Sequence, residues 1–343
     1  MTSILIVVAN YNGEQLLPTC LPSLRAQTCP RTDIVVVDNC SNDNSIDVAK
    51  AHGVRVLEMR RNDGLGAAYN AGALGSRDDY IFFMNNDMRL EPHCIESLVQ
   101  VLEDHSDAIA ADPLQWSWDG DRLLHARTLI HPGRWFGEIL PGFHLTFTAH
   151  ADQPVPICWG CAGCLLVRRS MLERLGGFDP TFFLNFEDVD LCWRGWRLGW
   201  MTWYVPRAQL WHRHGASQNA AVKLQTNPTQ RAQNALPMRV KRSGERNRLR
   251  FVLKVMDPLY AIRYVINLVV RFGGHVVGGH TVEAWIIAWA WMSCLREVPV
   301  IWRERRHLTT QSRLSNRSLY KLWSDSGCLV QRTSEASDVV HYA

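Results

Sequence analysis

Apolar and polar positions alternate in blocks along the first ninety residues. Short apolar runs at residues 4–9 (ILIVVA), 34–37 (IVVV), 54–59 and 80–84 (YIFFM) predict buried strands. Between the first two, Leu17, Cys20, Leu21 and Leu24 fall on one helical face. Strands alternating with helices predict a parallel sheet with crossover connections. Each strand runs into a polar cluster: DNCSNDNS at 38–45, NDGLGAAYN at 62–70 and Asn85-Asn86-Asp87. In open α/β sheets, ligands bind at that carboxyl edge.

A helix is expected after Pro92, with Ile95, Leu98, Val99 and Leu102 on one face. Residues 112–156 lose periodicity and are expected to wander across a site. Regularity returns at Cys158. A strand-like GCLLVRR leads to a helix over 171–175 stopped by Gly176-Gly177, and a second helix runs from Glu187 to Gly199 with acids at its head. Beyond residue 220 come a polar linker and two aromatic-rich helical segments, 257–271 and 281–296, with a bend or loop expected across 272–280.

Composition narrows the class. Apolar residues make up 47% of 343, enough to bury a core, and 37 basic against 33 acidic residues argue against a nucleic-acid binder working through its whole surface. The positive charge is local. Window 239–250 (RVKRSGERNRLR) holds six basic residues and one acid. Ten scattered cysteines suit reduced cytoplasmic thiols better than a disulfide framework. The opening MTSILIVVAN lacks the basic n-region of a secretory leader. No run reaches the ~18 apolar residues of a spanning helix, 284–295 being nearest, so a soluble or surface-bound protein is expected.

Several groups could carry chemistry. Asp87, at a strand end beside two amides, suits a hard divalent cation whose other ligands are phosphates, or simply a turn. Asp38 reads as a ribose- or base-binding carboxylate or as an Asx-turn. The run Glu187-Asp188-Val189-Asp190 could cap its helix or supply a general base. His212 and His214 could complete a metal shell or be structural. The C-x-x-C-x-x-C loop at 158–164 lacks an evident fourth ligand, which favours buried cysteines over an iron–sulfur cluster or zinc. Gly64-Leu65-Gly66 follows the third strand and lacks the third glycine of a nicotinamide fingerprint.

Taken in order, these segments over roughly residues 3–217 resemble the family 2 glycosyltransferases of GT-A fold, especially bacterial rhamnosyltransferase-like members. VVANYNG is similar to the family's first strand and nucleotide-contacting loop, which implies Asn10 and Tyr11 near the base. VVVDNCSNDNS implies Asp38 on the base or ribose. RNDGLGAAYNAG, with Asn62, Gly64, Asn70 and Gly72, implies a wall of the donor pocket. FFMNNDMRL resembles the D-x-D segment with Asn85 in its first place, implying Asn86 at the donor and Asp87 as metal ligand. GCLLVRRSMLERLGGFDPTFFLNFEDVDLCWR resembles the family's catalytic stretch. It implies Asp188 as base with Glu187 beside it, and Trp159, Asp190 and Arg194 at the acceptor. LWHRHGAS implies His212, with His214 in reserve, at the metal or diphosphate.

The resemblance implies a GT-A fold, Rossmann-like, with a mainly parallel central sheet flanked by helices and a C-terminal helical extension able to associate with a membrane. The expected organisation is a catalytic domain over 1–218 (nucleotide-sugar half 1–110, acceptor half 111–218), a basic linker over 219–250 and a helical region over 251–343. The implied reaction is inverting transfer of a sugar, first of all rhamnose, from a dTDP- or UDP-sugar to a glycan or polyprenyl-linked glycan. Mg²⁺ or Mn²⁺ would be the cofactor, in bacterial cell-surface polysaccharide synthesis (cell wall or lipopolysaccharide). No nucleic-acid partner is expected, and a homo-oligomer is compatible. The basic window and Trp285, Trp289 and Trp291 suit the cytoplasmic face of the plasma membrane, with Lys and Arg toward anionic headgroups. The competing reading is a non-catalytic sugar-nucleotide or glycan-binding subunit, for which Asn85 speaks and against which Glu187-Asp188 speaks.

Overall fold

The computed structural model describes residues 2–29, 31–129, 146–148, 151–213, 238–325 and 340–341. The expected strands form as β1 (Ile4–Asn10), β2 (Thr32–Asp38), β3 (Arg55–Glu58) and β4 (Tyr80–Asn85), interleaved with α1 (Leu17–Arg25), α2 (Ser45–Ala51) and α3 (Leu65–Ala73). They pair in parallel in the order β3-β2-β1-β4. The register aligns Asn10 with Asp38 and Ala9 with Asn85, so the polar strand ends lie in one row.

Beyond β4 the sheet becomes mixed. β5 (Met88–Leu90) and α4 (Cys94–Asp104) lead to β6 (Ala108–Ser117), β7 (Leu123–His125), β8 (Arg127–Leu129), β9 (Thr146–Thr148), β10 (Val155–Ile157), β11 (Cys164–Arg168), α5 (Arg169–Leu175), α6 (Glu187–Arg197) and β12 (Met201–His212). β11 inserts antiparallel between β4 and β6, while β12 runs parallel to β6 and antiparallel to β5 and β10. The start of β11 and the end of β12 therefore meet the carboxyl end of β4. The irregular passage expected over 112–156 contains the end of β6 and the short strands β7 to β10. Residues 130–145 lie outside the described residues.

Alternation along β1 divides the core. Leu5, Val7 and Ala9 join one cluster with Tyr69, Phe83, Phe178 and Trp193. Ile4, Ile6 and Val8 join another with Leu17, Leu21, Leu24, Ile95 and Leu98. Gly72 lets α3 lie on the sheet, since a Cβ there would sit 2.4 Å from Val7 Cγ1.

The C-terminal helices are α7 (Met238–Val255), α8 (Pro258–Val277), α9 (Thr281–Gln311) and α10 (Asn316–Asp325). Residues 238–250, expected within a linker, are the first turns of α7. The expected bend falls later than the glycine pair 273–274, because α8 runs to Val277. These helices continue the first core cluster: Trp193 meets Phe251 at 5.4 Å and Trp323 at 5.0 Å, both edge-on. Asn316 accepts from Trp193 Nε1 (3.2 Å) and from Arg197 (2.9 Å).

Part of the basic window turns inward rather than toward headgroups, while Arg239 stays exposed. Arg250 is fully buried, pairing with Glu297 (2.9 Å) and Glu304 (2.7 Å) on α9. Arg246 pairs with Glu297 and donates to Thr181 O (2.7 Å), and Arg242 lies over the rings of Trp285 and Trp289. The apolar residues turned outward are instead on α8 and α9, among them Ile262, Ile266, Val269, Val270, Val277 and Leu295. Against the expectation that no segment would qualify, α9 is long and apolar enough to cross a membrane by length and composition, with mean hydropathy 1.2. Its other face, including Ala284, Ile287, Ala290 and Cys294, is buried.

Candidate active site

The parallel register brings Asn10, Asp38 and Asn85 to neighbouring strand ends, and hydrogen bonds tie the row together. Buried Asn10 donates to Asp38 Oδ1 (2.8 Å) and accepts from Asn86 Nδ2 (2.7 Å). Asp38 also accepts from the Ser41 hydroxyl (2.6 Å) and backbone N–H (2.9 Å), so it holds the turn after β2 while facing the site edge. Gly13 presses on this pair: a Cβ there would lie 2.1 Å from Asn10 Oδ1. Tyr11 is 37% exposed, leaving its ring open to solvent at the mouth of the row.

Asn85, in the first place of the acidic segment, is held by the Tyr69 hydroxyl, which donates to its Oδ1 at 2.9 Å. Two residues on, Asp87 is only 6% exposed, and its Oδ1 has no hydrogen-bond donor. His212, delivered by the β12–β5 pairing, places Nε2 3.3 Å from that oxygen while its Nδ1 lies 3.2 Å from Gln115 Oε1. His214 lies outside the described residues.

α6 faces this edge with its acidic N-terminus. Its entry is strained: Asn185 and Phe186 have φ of 71° and 72°, a region costly for non-glycine residues. Asn247 of α7 holds the turn by donating to Leu184 O (3.0 Å) and Asn185 O (2.9 Å), and Phe186 packs on Phe251. On the opposite side Gly64, at φ +100°, accepts a contact no other residue could: a Cβ would lie 2.2 Å from Phe183 O. Asn62 caps that turn by accepting the Gly64 N–H (3.1 Å).

Glu187 is buried and its Oε2 has no hydrogen-bond donor; burial and the neighbouring Asp188 push its carboxyl well above the usual range. Asp188 is half-buried and also raised by burial, but it is drawn back by N–H donors from Val189 (2.8 Å) and Ala162 (3.4 Å) and by the positive charge of His125. The pair therefore divides its roles, with Glu187 the better proton holder and Asp188 the better anion.

Four further residues of the expected site, Asn70, Asp190, Arg194 and Trp159, have partners within the protein. Asn70 uses both amide atoms on the Phe178 backbone (2.7 and 2.9 Å). Asp190 is fully buried between Arg194 (2.7 Å) and Lys254 (2.8 Å), and Arg194 further donates to Leu175 O and Gly177 O. Trp159 is 4% exposed, and its carbonyl accepts from Thr128. Asn39, inside the DNCSNDNS segment, and Gln115, outside any motif, were assigned no role, yet Asn39 spans the Asp63–Gly64 turn and Gln115 backs His212.

A model of glycosyl transferase family 2 matches residues 5–176. The chain belongs to this family. The N-acetylglucosaminyl-diphospho-decaprenol L-rhamnosyltransferase of Mycobacterium tuberculosis is 33% identical over 236 residues, 62% of this chain and 76% of the relative. The same organism's pre-mycofactocin glycosyltransferase is 27% identical over 221 residues, 62% of this chain and 43% of the relative. GalNAc-T7, solved with UDP, GalNAc and Mn²⁺, shares the fold with a TM-score of 0.57 at 17% identity, covering 76% of this chain and 49% of its own. The chain is thus a rhamnosyltransferase-like glycosyltransferase of GT-A fold, with a mixed sheet flanked by helices.

The residues present fit the divalent cation that the resemblance implies. Asp87 Oδ1 is buried without a donor, and the 3.3 Å to His212 Nε2 is close to the roughly 3 Å separating adjacent ligands on a small octahedral ion. Among the described residues no group of three or more His, Cys, Asp or Glu could hold a metal alone. A cation here would need oxygens from a substrate diphosphate. The 158–164 loop reads as expected: Cys158 and Cys164 are fully buried. Half-buried Cys161 differs, its thiol lowered to about 7 by a hydrogen bond from Cys164.

Proposed function

We propose that the chain transfers rhamnose, with inversion, from dTDP-rhamnose to an N-acetylglucosamine carried on a polyprenyl diphosphate, at the cytoplasmic face of a bacterial membrane. The observation that carries this reading is the convergence of two anionic centres on one sheet edge: the Asp38–Asn10–Asn86–Asp87 row and the Asp188 carboxylate at the head of α6. The Mycobacterium relative supplies the sugar and acceptor chemistry.

Asp38 and Asn10 offer polar edges to a nucleoside, and exposed Tyr11 offers a ring to stack on its base. Asp87 and His212 would hold a divalent cation, which when bound neutralises charge on the departing diphosphate. Asp188 takes the proton from the acceptor hydroxyl as that oxygen attacks the anomeric carbon from the face opposite the nucleotide. Buried Glu187 retains its own proton, so the site keeps one negative charge rather than two. A single displacement of the nucleoside diphosphate by the acceptor oxygen inverts the anomeric centre without a covalent intermediate. Membrane contact is assigned to the outward apolar side chains of α8 and α9, such as Ile262, Ile266 and Val270.

Calorimetric titration with UDP, dTDP and GDP, with and without Mn²⁺, tests the donor site. Metal-dependent dTDP binding that is lost in Asp87→Ala supports the reading. Absence of binding by every nucleotide in folded protein would overturn it and favour the glycan-binding alternative.

A further inference from the structure

Behind the 158–164 loop lies a buried pair that carried no motif. Asp112 on β6 is fully buried, and its Oδ2 lies 2.6 Å from His125 Nε2 on β7. Its Oδ1 accepts the Cys161 N–H at 3.0 Å. The Cys164 N–H closes the turn onto Cys161 O at 3.0 Å, and the next N–H in that turn, from Ala162, is the one that faces Asp188 Oδ2 at 3.4 Å. The loop has no slack against Asp112, since a Cβ on Gly160 would come within 2.8 Å of the Asp112 Cβ.

We propose that Asp112 and His125 are positioning residues for the acceptor-activating carboxylate: Asp112 sets the turn that aims the Ala162 N–H at Asp188, and His125 fixes Asp112 and holds positive charge beside Asp188. This rests on the reading of Asp188 as the base. Among the described residues, the titratable groups that act on His125 include Asp112, Cys161 and Asp188, and those that act on Asp188 include Glu187, His125 and Cys161. Burial opposes charge on His125, but Asp112 outweighs it and raises the imidazole to about 9, so the ring carries its proton at neutral pH. A cation there favours the ionised form of Asp188. Its removal makes Asp188 hold its proton to higher pH and leaves less base available.

The test reads the protonation of Asp188 without relying on turnover. Full-length wild type, His125→Gln and Asp112→Asn are labelled with a water-soluble carbodiimide and glycine ethyl ester across a pH series. The Asp188 label is resolved by peptide mass spectrometry, and thermal melts confirm that each variant is folded. His125→Gln keeps a donor for Asp112 but no charge. The Asp188 labelling midpoint is expected to rise by about one pH unit in both variants, the size of effect an opposite charge nearby exerts. The surface carboxylates Glu96 and Asp63 should stay unchanged. An unmoved Asp188 midpoint, or an equal shift at Glu96 and Asp63, would overturn the proposal. Turnover of Asp188→Asn, measured alongside, separates the two claims: if it stays near wild type the base assignment fails, whereas an unmoved midpoint with an inactive Asp188→Asn refutes the positioning role alone.

Discussion

Lys254→Met removes the cation that joins the C-terminal helices to the catalytic half. The Lys254 ammonium sits 2.8 Å from Asp179 Oδ2 and 2.8 Å from Asp190 Oδ1, with all three side chains at most 7% exposed. Methionine keeps the stem over Phe182 and deletes the charge. Breaking a buried pair costs about 3–5 kcal/mol because the partner is left uncompensated. Each carboxylate here retains a second cation, Arg250 at 3.4 Å from Asp179 and Arg194 at 2.7 Å from Asp190, which places the loss at the low end, about 3 kcal/mol. Unfolding entropy near 0.7 kcal/mol/K for 343 residues converts that to a Tm lower by about 4 °C.

The loss also has a pH signature. Burial alone would raise Asp179, but Lys254 and Arg250 outweigh it and hold the carboxyl well below its usual range. Such a group adds stability above its unfolded pKa, near 4, and that stability is lost as pH falls through the folded value. In the variant Asp179 takes up its proton at higher pH, so the gap to wild type should narrow as pH drops from about 5 toward 3. Calorimetric melts across that range are the assay. A loss below about 1 kcal/mol, or one constant with pH, would refute the assignment of this cluster as a charge-dependent clamp.

Other outcomes follow from the same geometry. Gly64→Ala meets both a positive φ and a backbone oxygen 2.2 Å from the new Cβ, so turnover should fall at least tenfold with a lowered melting temperature. Asn247→Ala strips two carbonyl contacts from the strained 184–186 turn, which should lower kcat more than donor affinity in steady-state kinetics. Because Asp188 is raised above the ordinary carboxylate range by burial, kcat/KM for the acceptor should fall on acidification from neutrality, with its acid limb above pH 4.

The half of the fold carried by strand-then-helix repeats was legible because buried parallel strands are written as unbroken apolar runs, as in ILIVVA and YIFFM. Asp38, Asp87 and Asp188 stood out because each ends or begins an element at one edge. The protein partners of Asn70 and Asp190 were not legible: a motif gives position along the chain, whereas Phe178 and Lys254 come from distant segments. The inward turn of part of the basic window was hidden for the same reason. Arg246 and Arg250, one turn apart on α7, meet Glu297 and Glu304, two turns apart on α9. That charge match is visible only once the helices are known to pack. Asp112 and His125 lay in a stretch without periodicity, although an aspartate inside the apolar run AIAAD was a signal that a buried partner had to exist.

The central claim is that Asp188 activates the acceptor while Asp87 and His212 serve the donor. It is tested most directly by measuring, in Asp188→Asn, both the turnover number and the affinity for dTDP in the presence of Mn²⁺. The account expects kcat to fall by about 10²–10⁴, the usual worth of a general base, with dTDP affinity within twofold of wild type. Turnover within tenfold of wild type, or an equal loss of turnover and nucleotide affinity, would contradict it.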